Sequence, residues 1–441
     1  MTSSKKLSLL SVVLININVM LGSGIFINTV MLANATGSLS PISYLIVGVL
    51  LLPIVLSIVK LWSFCKTQAT LYQLGANLSP FIGFLSSWCY FIGKISTLSL
   101  CVHVCSSILQ QLFFVFNLIP VILLDFIFIF IFAIFNLLNF RTGSKIQVGF
   151  ATFKFVPILF MIFSGLYLFT PSNFTPDLFI PYGIPASLTL VFYAFAGFES
   201  TCSLSKLIEN PSKNGTRAIL ISYALVIAIA VLFQFAFCAV LSSEITNLSG
   251  GYLGVFSTIV SKLMPISSNF SRYLIAILNL GIAISALGAA YSIMFSNCWN
   301  LYTLAQNKHL FYSSFIGRLN SGQVPYVCII IESIIAFIYI LVSQANQLAL
   351  QQLGALAATI AYTLSILVLL VLSIEKKHKK DIILSIIAVC SCLTLIISFI
   401  YNLIFYGISN LLVLFMLLVI FGSYMFYKKH DLLNLKFYQD L

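Results

Sequence analysis

"MLGSGIFINT", residues 20–29, interrupts an apolar run near the start of the chain. Gly22 and Gly24 flank Ser23 in the middle of a stretch long enough to cross a bilayer as one helix. Because glycine and serine weaken helices, we expect the helix to break there. A break within the membrane leaves backbone N–H and C=O groups unpaired, which is costly unless protein, water or a ligand satisfies them. The stretch therefore predicts a ligand site.

A second interruption, "YAFAGFES" at residues 193–200, contains Gly197 followed closely by Glu199. Small residues are also common in membrane helices because they allow close packing, so one such motif alone would indicate packing. The two interruptions are separated by five predicted spans. Glycine-interrupted spans in corresponding places of two halves point to the binding site of an inverted-repeat transporter.

The composition predicts an all-α polytopic membrane protein. Of the 441 residues, 61% are hydrophobic and only 7% are charged, against about 25% charged in soluble domains. The net charge of +12 is explained by topology signals, so no nucleic-acid partner is expected. The ten cysteines are interpreted as small apolar residues without disulfides or a metal site, and no cofactor is expected.

Apolar runs of about 20 residues recur along the chain and predict twelve transmembrane helices. Their approximate bounds are 8–33, 40–60, 80–107, 117–139, 148–169, 185–205, 217–241, 272–303, 324–343, 348–374, 382–400 and 403–427. The first run is too long for the apolar core of a signal peptide, so no cleavage is expected. A longer outer loop, about 242–271, contains a segment that could form a small helix on the membrane face.

The basic residues predict that both termini are cytoplasmic, because cytoplasmic loops carry an excess of Lys and Arg. With that orientation 18 of the 22 basic residues lie on the inner side. Only Lys262 and Arg272 lie outside, while Lys94 and Lys154 lie within spans. The excess of Lys over Arg, with abundant Phe, Ile and Asn, indicates an AT-rich bacterial genome, so we expect the bacterial inner membrane.

Four stretches together resemble the amino acid–polyamine–organocation transporter superfamily. They are "GSGIF" at 22–26, "ATFKFVPILFMIFSG" at 151–165, "FAGFES…IENPSKNGTRAI" at 195–219 and "LAQNKHLF…GRLNSGQVPYV" at 304–327. The resemblance implies a ten-span core at 1–375, with inverted repeats at about 8–169 and 185–374 and discontinuous first and sixth helices. Two additional helices and a cytoplasmic tail follow at 376–441. It also implies an amino acid or amine substrate.

The resemblance implies roles for the first break. Gly22 and the N–H groups around Ser23, Gly24 and Ile25 would hold the carboxylate of a substrate amino acid. The carbonyl of Met20 would accept from the substrate ammonium. A carboxylate suits free N–H groups at the positive end of a half-helix.

The resemblance likewise implies that the carbonyls of Tyr193, Ala194 and Ala196, beside Gly197, bind the ammonium. Tyr193 stands where family members place an aromatic gate over the substrate. Lys154 matches a lysine whose ammonium replaces the sodium ion of sodium-coupled relatives, and Glu199 matches an acid tied to gating.

Five ionisable residues lie within predicted spans, where charge is costly and often functional: Lys94, Asp125, Lys154, Glu199 and Glu332. Lys154 is predicted to act in coupling, and the alternative is a lysine that snorkels to the membrane surface. Lys94 either contacts the substrate, which favours a neutral or acidic side chain, or forms a structural pair with Asp125 or Glu199. Because burial favours the protonated carboxyl, Glu199 is predicted to carry a proton, unless it is fixed in an ion pair. Asp125 and Glu332 have no predicted role, and His103 is predicted to be a satisfied interior histidine.

We therefore predict a secondary amino acid transporter that works by alternating access and is coupled to protons or to exchange. An antiporter of amines, polyamines or cationic amino acids is the alternative. The motifs of intramembrane enzymes are missing, and the charge rings and pore repeats of channels are not seen, so those classes are disfavoured. Neither the sequence nor the motifs predict the oligomeric state.

Overall fold

The computed structural model describes residues 6–65, 69–138, 140–175, 178–180, 183–241, 251–266, 268–405 and 409–439. These residues are almost entirely helical, and β-structure within them is limited to two isolated bridges. The helices of the first part are α1 (Leu9–Met20), α2 (Gly24–Thr36), α3 (Ser40–Trp62), α4 (Leu71–Ala76), α5 (Pro80–Leu112), α6 (Phe114–Asn117), α7 (Val121–Asn136), α8 (Phe140–Tyr167), α9 (Ile184–Phe195) and α10 (Ser200–Ser203). Those of the second part are α11 (Pro211–Leu241), α12 (Gly254–Leu263), α13 (Asn269–Gln306), α14 (Ser313–Ile316), α15 (Tyr326–Ser343), α16 (Gln347–Glu375), α17 (Lys379–Phe405) and α18 (Ser409–Gln439).

The chain is a helical membrane protein, although the described residues do not contain twelve full-length spans. Among the described residues, nine helices are long and apolar enough to cross a bilayer, and the bent pair α1–α2 makes ten. The predicted fourth span corresponds to α7, which has 16 residues, shorter than the roughly 20 that a span needs. The predicted sixth span is divided between α9 and α10. Twelve spans and inverted repeats therefore stay predictions.

Both predicted interruptions coincide with real ends of helices. In the first span α1 ends at Met20, α2 begins at Gly24, and the two axes differ by 44°. In the sixth, α9 ends at Phe195 and α10 begins at Ser200. Gly197 lies between them with φ of +147°, a conformation that glycine adopts far more readily than other residues.

The long helix α5 lies at the centre of the fold, packed against α13 and α16. Small residues permit the close approach to α16: Gly93 lies against Ala357, and Gly354 lies against Thr97. The outer surface carries large apolar side chains such as Val49 and Phe163, as expected for a protein surrounded by lipid. Polar side chains are instead buried among the helices.

The predicted small helix of the outer loop is present as α12. It is followed directly by Met264, whose N–H donates to the carbonyl of Val260. Residues 242–250 and 267 of the same loop lie outside the described part of the chain. Whether α12 lies on the membrane face stays a prediction.

A histidine junction joins α18 to the segment after α13, on the side predicted to be cytoplasmic. His309 Nε2 lies 2.8 Å from the hydroxyl of Tyr72 on α4, and His430 Nε2 lies 3.4 Å from His309 Nδ1. The aromatic rings of Phe84 and Phe426 enclose His309, with ring centroids 6.1 and 5.0 Å away. Burial and the neighbouring His430 lower the pKa of His309 to about 4.

We expect Gly93→Ala to destabilise the protein, because its Cβ would lie 1.9 Å from the Cβ of Ala357. Overpacking of this kind costs about 1–3 kcal/mol, measurable as a lower midpoint of thermal unfolding in detergent. Gly149→Ala in α8 is the matched control, since nothing lies within 4 Å of its added Cβ. Equal stability of the two variants would contradict the packing of α5 on α16.

His309 stabilises the histidine junction in its neutral form, and protonation of its ring removes that stabilisation. Its pKa is near 6.5 in the unfolded chain and about 4 in the folded protein. The stabilisation is therefore complete above pH 6.5 and is lost as the pH falls from 6.5 toward 4. We expect the difference in unfolding temperature between the wild type and His309→Gln to shrink across that range. A difference that stays constant from pH 7.5 to 4.5 would show that His309 does not titrate in this way.

Candidate functional site

The two helix breaks meet in the interior of the protein. A Cβ added to Gly197 would lie 2.8 Å from Val19 Cγ1 and 2.9 Å from Met20 Cγ, so the second break packs directly on the end of α1. A Cβ added to Gly24 would lie 2.6 Å from the ring of Tyr193. Residues 20–25 and 193–199 are all buried. We call these two segments together the break centre.

Most backbone donors of the first break have no partner among the described residues. The N–H groups of Gly22, Gly24 and Ile25 donate to no acceptor there, whereas the N–H of Ser23 faces the sulfur of Cys101. The carbonyl of Ser23 already closes the first turn of α2 by accepting from Phe26 and Ile27, each at 3.0 Å. The start of a helix carries a partial positive charge, so these donors can hold an anion.

Backbone acceptors lie in the same centre. Within the described part of the chain, no donor reaches the carbonyls of Met20, Tyr193, Ala194 and Ala196. The helix cannot supply one at Tyr193, because the N–H of Gly197 donates instead to Glu199 Oε2 at 2.8 Å. The donor and acceptor groups that the resemblance implies for a substrate thus lie in the two segments of the break centre, and most of them have no partner among the described residues.

Lys154 lies beside the first break. Its side chain is fully buried, and Nζ donates to the carbonyl of Asn18 at 3.0 Å and to that of Leu21. Ser285 on α13 adds hydroxyl bonds to the carbonyls of Leu21 and Gly22, at 3.2 and 3.1 Å. A cation is favoured at this end of α1, where free carbonyls concentrate negative charge. The snorkelling alternative for Lys154 is therefore wrong.

Lys94 and Glu199 form a buried ion pair next to the second break. Lys94 Nζ lies 3.1 Å from Glu199 Oε1, which also accepts from the hydroxyl of Tyr90 at 2.9 Å. Both side chains are almost inaccessible, with 3% and 0% exposed. Of the alternatives left open for Lys94, the structure contains the pair with Glu199. That pair, with Gly197, holds the turn between α9 and α10.

The two remaining intramembrane acids lie away from the lysines. Asp125 Oδ2 lies 2.8 Å from His103 Nδ1, so His103 is an interior histidine with a partner, as predicted. Glu332 Oε1 accepts from Asn297 at 3.0 Å, joining α15 to α13. Neither acid contacts the break centre, and the structure gives them no role in it.

Sequence reasoning missed three side chains of this region. Cys101 Sγ lies 3.7 Å from the Tyr193 hydroxyl and 3.9 Å from Ser23 Oγ, although it was interpreted only as a small apolar residue. Tyr90 and Cys101 stand four residues before and seven after Lys94 on α5, a spacing that places all three on one face. That spacing was a usable signal. Ser285 had none, because its contact depends on how α13 packs.

Comparison with known proteins gives a family. The amino acid permease family matches residues 7–423. The human b(0,+)-type amino acid transporter 1 is 27% identical over 395 residues, covering 85% of this chain and 77% of that protein. The serine/threonine exchanger SteT of Bacillus subtilis is 23% identical, covering 85% of each.

A glutamate/gamma-aminobutyrate antiporter of Lactococcus lactis is also similar. It is 23% identical over 208 residues, which cover 45% of this chain. The match spans only 40% of the length of that antiporter.

We expect Lys94→Met and Glu199→Gln each to destabilise the protein strongly, because each leaves one buried partner uncompensated. Losses of about 3–5 kcal/mol are typical when one member of a buried pair is removed. The double variant removes both charges and should recover much of that loss, as measured by thermal unfolding in detergent. Strictly additive effects in the double variant would show that the two charges do not depend on each other.

Proposed function

The chain belongs to the amino acid permease family, and from that premise we propose that it is a secondary transporter of amino acids that works by alternating access. Such carriers bind their substrate near the bilayer midplane, at discontinuous helices, and rock one bundle against another. We further propose the twelve-span arrangement with two inverted five-span repeats in the core at 1–375, and the two additional spans at 376–441. Proteins of this family are transporters rather than enzymes.

One observation carries the proposal: unpaired N–H groups and unpaired carbonyls lie together in the break centre. A zwitterion matches both sets, since its carboxylate accepts hydrogen bonds and its ammonium donates them. In the proposed complex the N–H groups of 22–25 hold the carboxylate, and the carbonyls of Met20, Tyr193, Ala194 and Ala196 hold the ammonium. The ligand replaces the hydrogen bonds that the broken helices forgo.

The described arrangement is a closed one. Tyr193 packs on Gly24 and Met20 packs on Gly197, so side chains fill the space between the breaks. We propose that Tyr193 is the gate and that its ring swings away from Gly24 when substrate enters. The Tyr193 hydroxyl contacts Cys101 Sγ at 3.7 Å, and Cys101 Sγ in turn lies 3.9 Å from Ser23 Oγ. Because sulfur forms only weak hydrogen bonds, these contacts would let the ring move at little cost.

The charges near the break centre favour a substrate with a neutral side chain. Lys94 was predicted to select neutral or acidic side chains, but its charge is balanced here by Glu199. A balanced pair offers no net attraction to a charged side chain. The serine/threonine exchanger and an aromatic amino acid permease of Lactococcus lactis, which is 24% identical over 270 residues, carry names that fit neutral side chains.

We propose coupling to exchange or to protons rather than to sodium. Lys154 places a fixed ammonium on the carbonyls of Asn18 and Leu21, which supports its role as a substitute for a bound sodium ion. Glu199 is the proposed proton carrier, and it would need to leave Lys94 in order to take up a proton. The proposed location is a bacterial inner membrane with both termini cytoplasmic.

The proposal predicts saturable uptake of radiolabelled serine into sodium-free proteoliposomes, accelerated by unlabelled serine inside or by an inward proton gradient. Gly24→Ala should reduce uptake at least about tenfold, because the added methyl group occupies the site that Tyr193 and the carboxylate share. Gly149→Ala, where the added Cβ meets nothing within 4 Å, should transport normally.

Different outcomes test different steps. A requirement for sodium while Lys154 is intact would overturn the lysine-for-ion proposal. Competition of serine uptake by arginine or a polyamine, but by no neutral amino acid, would favour the amine antiporter instead. Normal uptake by Gly24→Ala would remove the break centre as the substrate site.

A further inference from the structure

Two identical dipeptides face each other on the side predicted to be cytoplasmic. Lys308-His309 follows the end of α13, and Lys429-His430 lies in the last part of α18. Their histidines are 3.4 Å apart. Four basic side chains from distant parts of the chain therefore lie close together where α18 meets the segment after α13.

The two lysines line one large cavity beside the histidines. Its volume is about 810 Å³, and Lys308 and Lys429 lie on its wall together with polar groups of Gln306, Ser313 and Ser314. Among the described residues that line it, none is acidic. The cavity is formed between the loop that follows α13 and the helix α18, so it exists only in the folded protein.

The lysines of this cavity have no acidic partner in the part of the chain that the structure describes. Among the described residues, neither Lys308 nor Lys429 forms an ion pair, whereas Lys60 pairs with Asp381 at 3.2 Å. Asp431 follows His430 in the sequence, and its side chain lies outside the described part. Lys308 is exposed and Lys429 is half-buried, which leaves both ammonium groups within reach of a ligand.

The cavity has the chemistry and the location of a site for a phosphate headgroup. Lysine binds phosphate as a compact point charge with three donors. The hydroxyl of Ser314 and the amide of Gln306 can add hydrogen bonds, whereas the hydroxyl of Ser313 already bonds the backbone of Leu310. Basic cavities between transmembrane helices on the cytoplasmic side are places where anionic lipid headgroups bind. The candidate spans of α13 and α18 end at Gln306 and His430, next to this cavity, which is where the surface of the membrane is expected.

We propose that the cavity between Lys308 and Lys429 binds the phosphate of an anionic phospholipid and so fastens α18 to the loop after α13. The bound phosphate bridges α18 and the loop after α13. Without it, these segments are in contact through His309 with His430 and through the ring of Phe426. This site is separate from the break centre, and it does not depend on what the protein transports.

The test compares purified protein in detergent with added phosphatidylglycerol or phosphatidylcholine. Thermal unfolding and native mass spectrometry would report stabilisation and bound lipid. We expect phosphatidylglycerol to bind and to raise the unfolding temperature, and Lys308→Gln with Lys429→Gln to weaken this effect about tenfold or more. The matched control is Lys377→Gln with Lys380→Gln, which removes the same charge from exposed positions near the start of α17.

Two soluble probes, inorganic phosphate and glycerol 3-phosphate, separate the possible sources of the phosphate group. If they stabilise the wild type and not the Lys308/Lys429 variant, and phosphatidylglycerol adds nothing, the phosphate site stands and its lipid source is overturned. If both double variants lose the phosphatidylglycerol effect equally, the lipid responds to overall charge and the site is overturned. Absence of any effect in the wild type would also overturn it.

Discussion

The unpaired main chain at the two helix breaks is the constraint on which this structure depends. Inside a membrane, backbone groups normally pair within their own helix. Here α1 stops at Met20 and α9 stops at Phe195. Backbone N–H groups and carbonyls beyond these ends therefore lack helical partners inside the protein core. Such an arrangement is stable only if neighbouring groups, water or a ligand take over some of the lost hydrogen bonds.

Charged and polar side chains of the protein supply part of these lost hydrogen bonds. Lys154 and Ser285 satisfy carbonyls at the end of α1, and Glu199 satisfies the N–H of Gly197. Each charge is then held by further contacts, the most important being the bond between Lys94 and Glu199. These side chains fix the ends of the half-helices, while the N–H groups of Gly22, Gly24 and Ile25 and the carbonyls around Ala194 have no protein partner within the described residues. The division between satisfied and free groups is what makes the proposed zwitterion site selective for the ends of an amino acid.

Closure of the break centre relates the fold to its proposed movement. Tyr193 belongs to α9 and Gly24 to α2, so their contact joins parts of the two broken spans. The neighbouring α5 packs closely on α16, because Gly93 allows its backbone to lie against Ala357. If the broken spans moved against α5, the contact between Tyr193 and Gly24 would change, while Lys94 would stay in place with α5. The histidine junction and its cavity lie at another level, where α18 meets the loop after α13.

Much of this was predictable from local sequence. Long apolar runs determined a helical membrane protein, and the glycines at 22, 24 and 197 determined where helices break, because both effects arise within a few residues of chain. The ten spans that meet the length test coincide with predicted ones, whereas α7 and the divided sixth helix are shorter than their apolar sequence suggested. Hydropathy counts apolar residues whether or not they are helical, so it does not register the start of α7 after Pro120 or the break at Gly197.

The pairing of charges was decided only by the tertiary structure. The sequence placed Lys94, Asp125, Lys154, Glu199 and Glu332 within spans but could not match them. In the structure Lys94 pairs with Glu199, 105 positions away in the chain, and Asp125 pairs with His103. Packing of the helices also places Cys101 and Ser285 beside the broken spans. The physical reason is distance: a helix break follows from the residues beside it, whereas an ion pair depends on the rotation and packing of helices that are far apart in the chain.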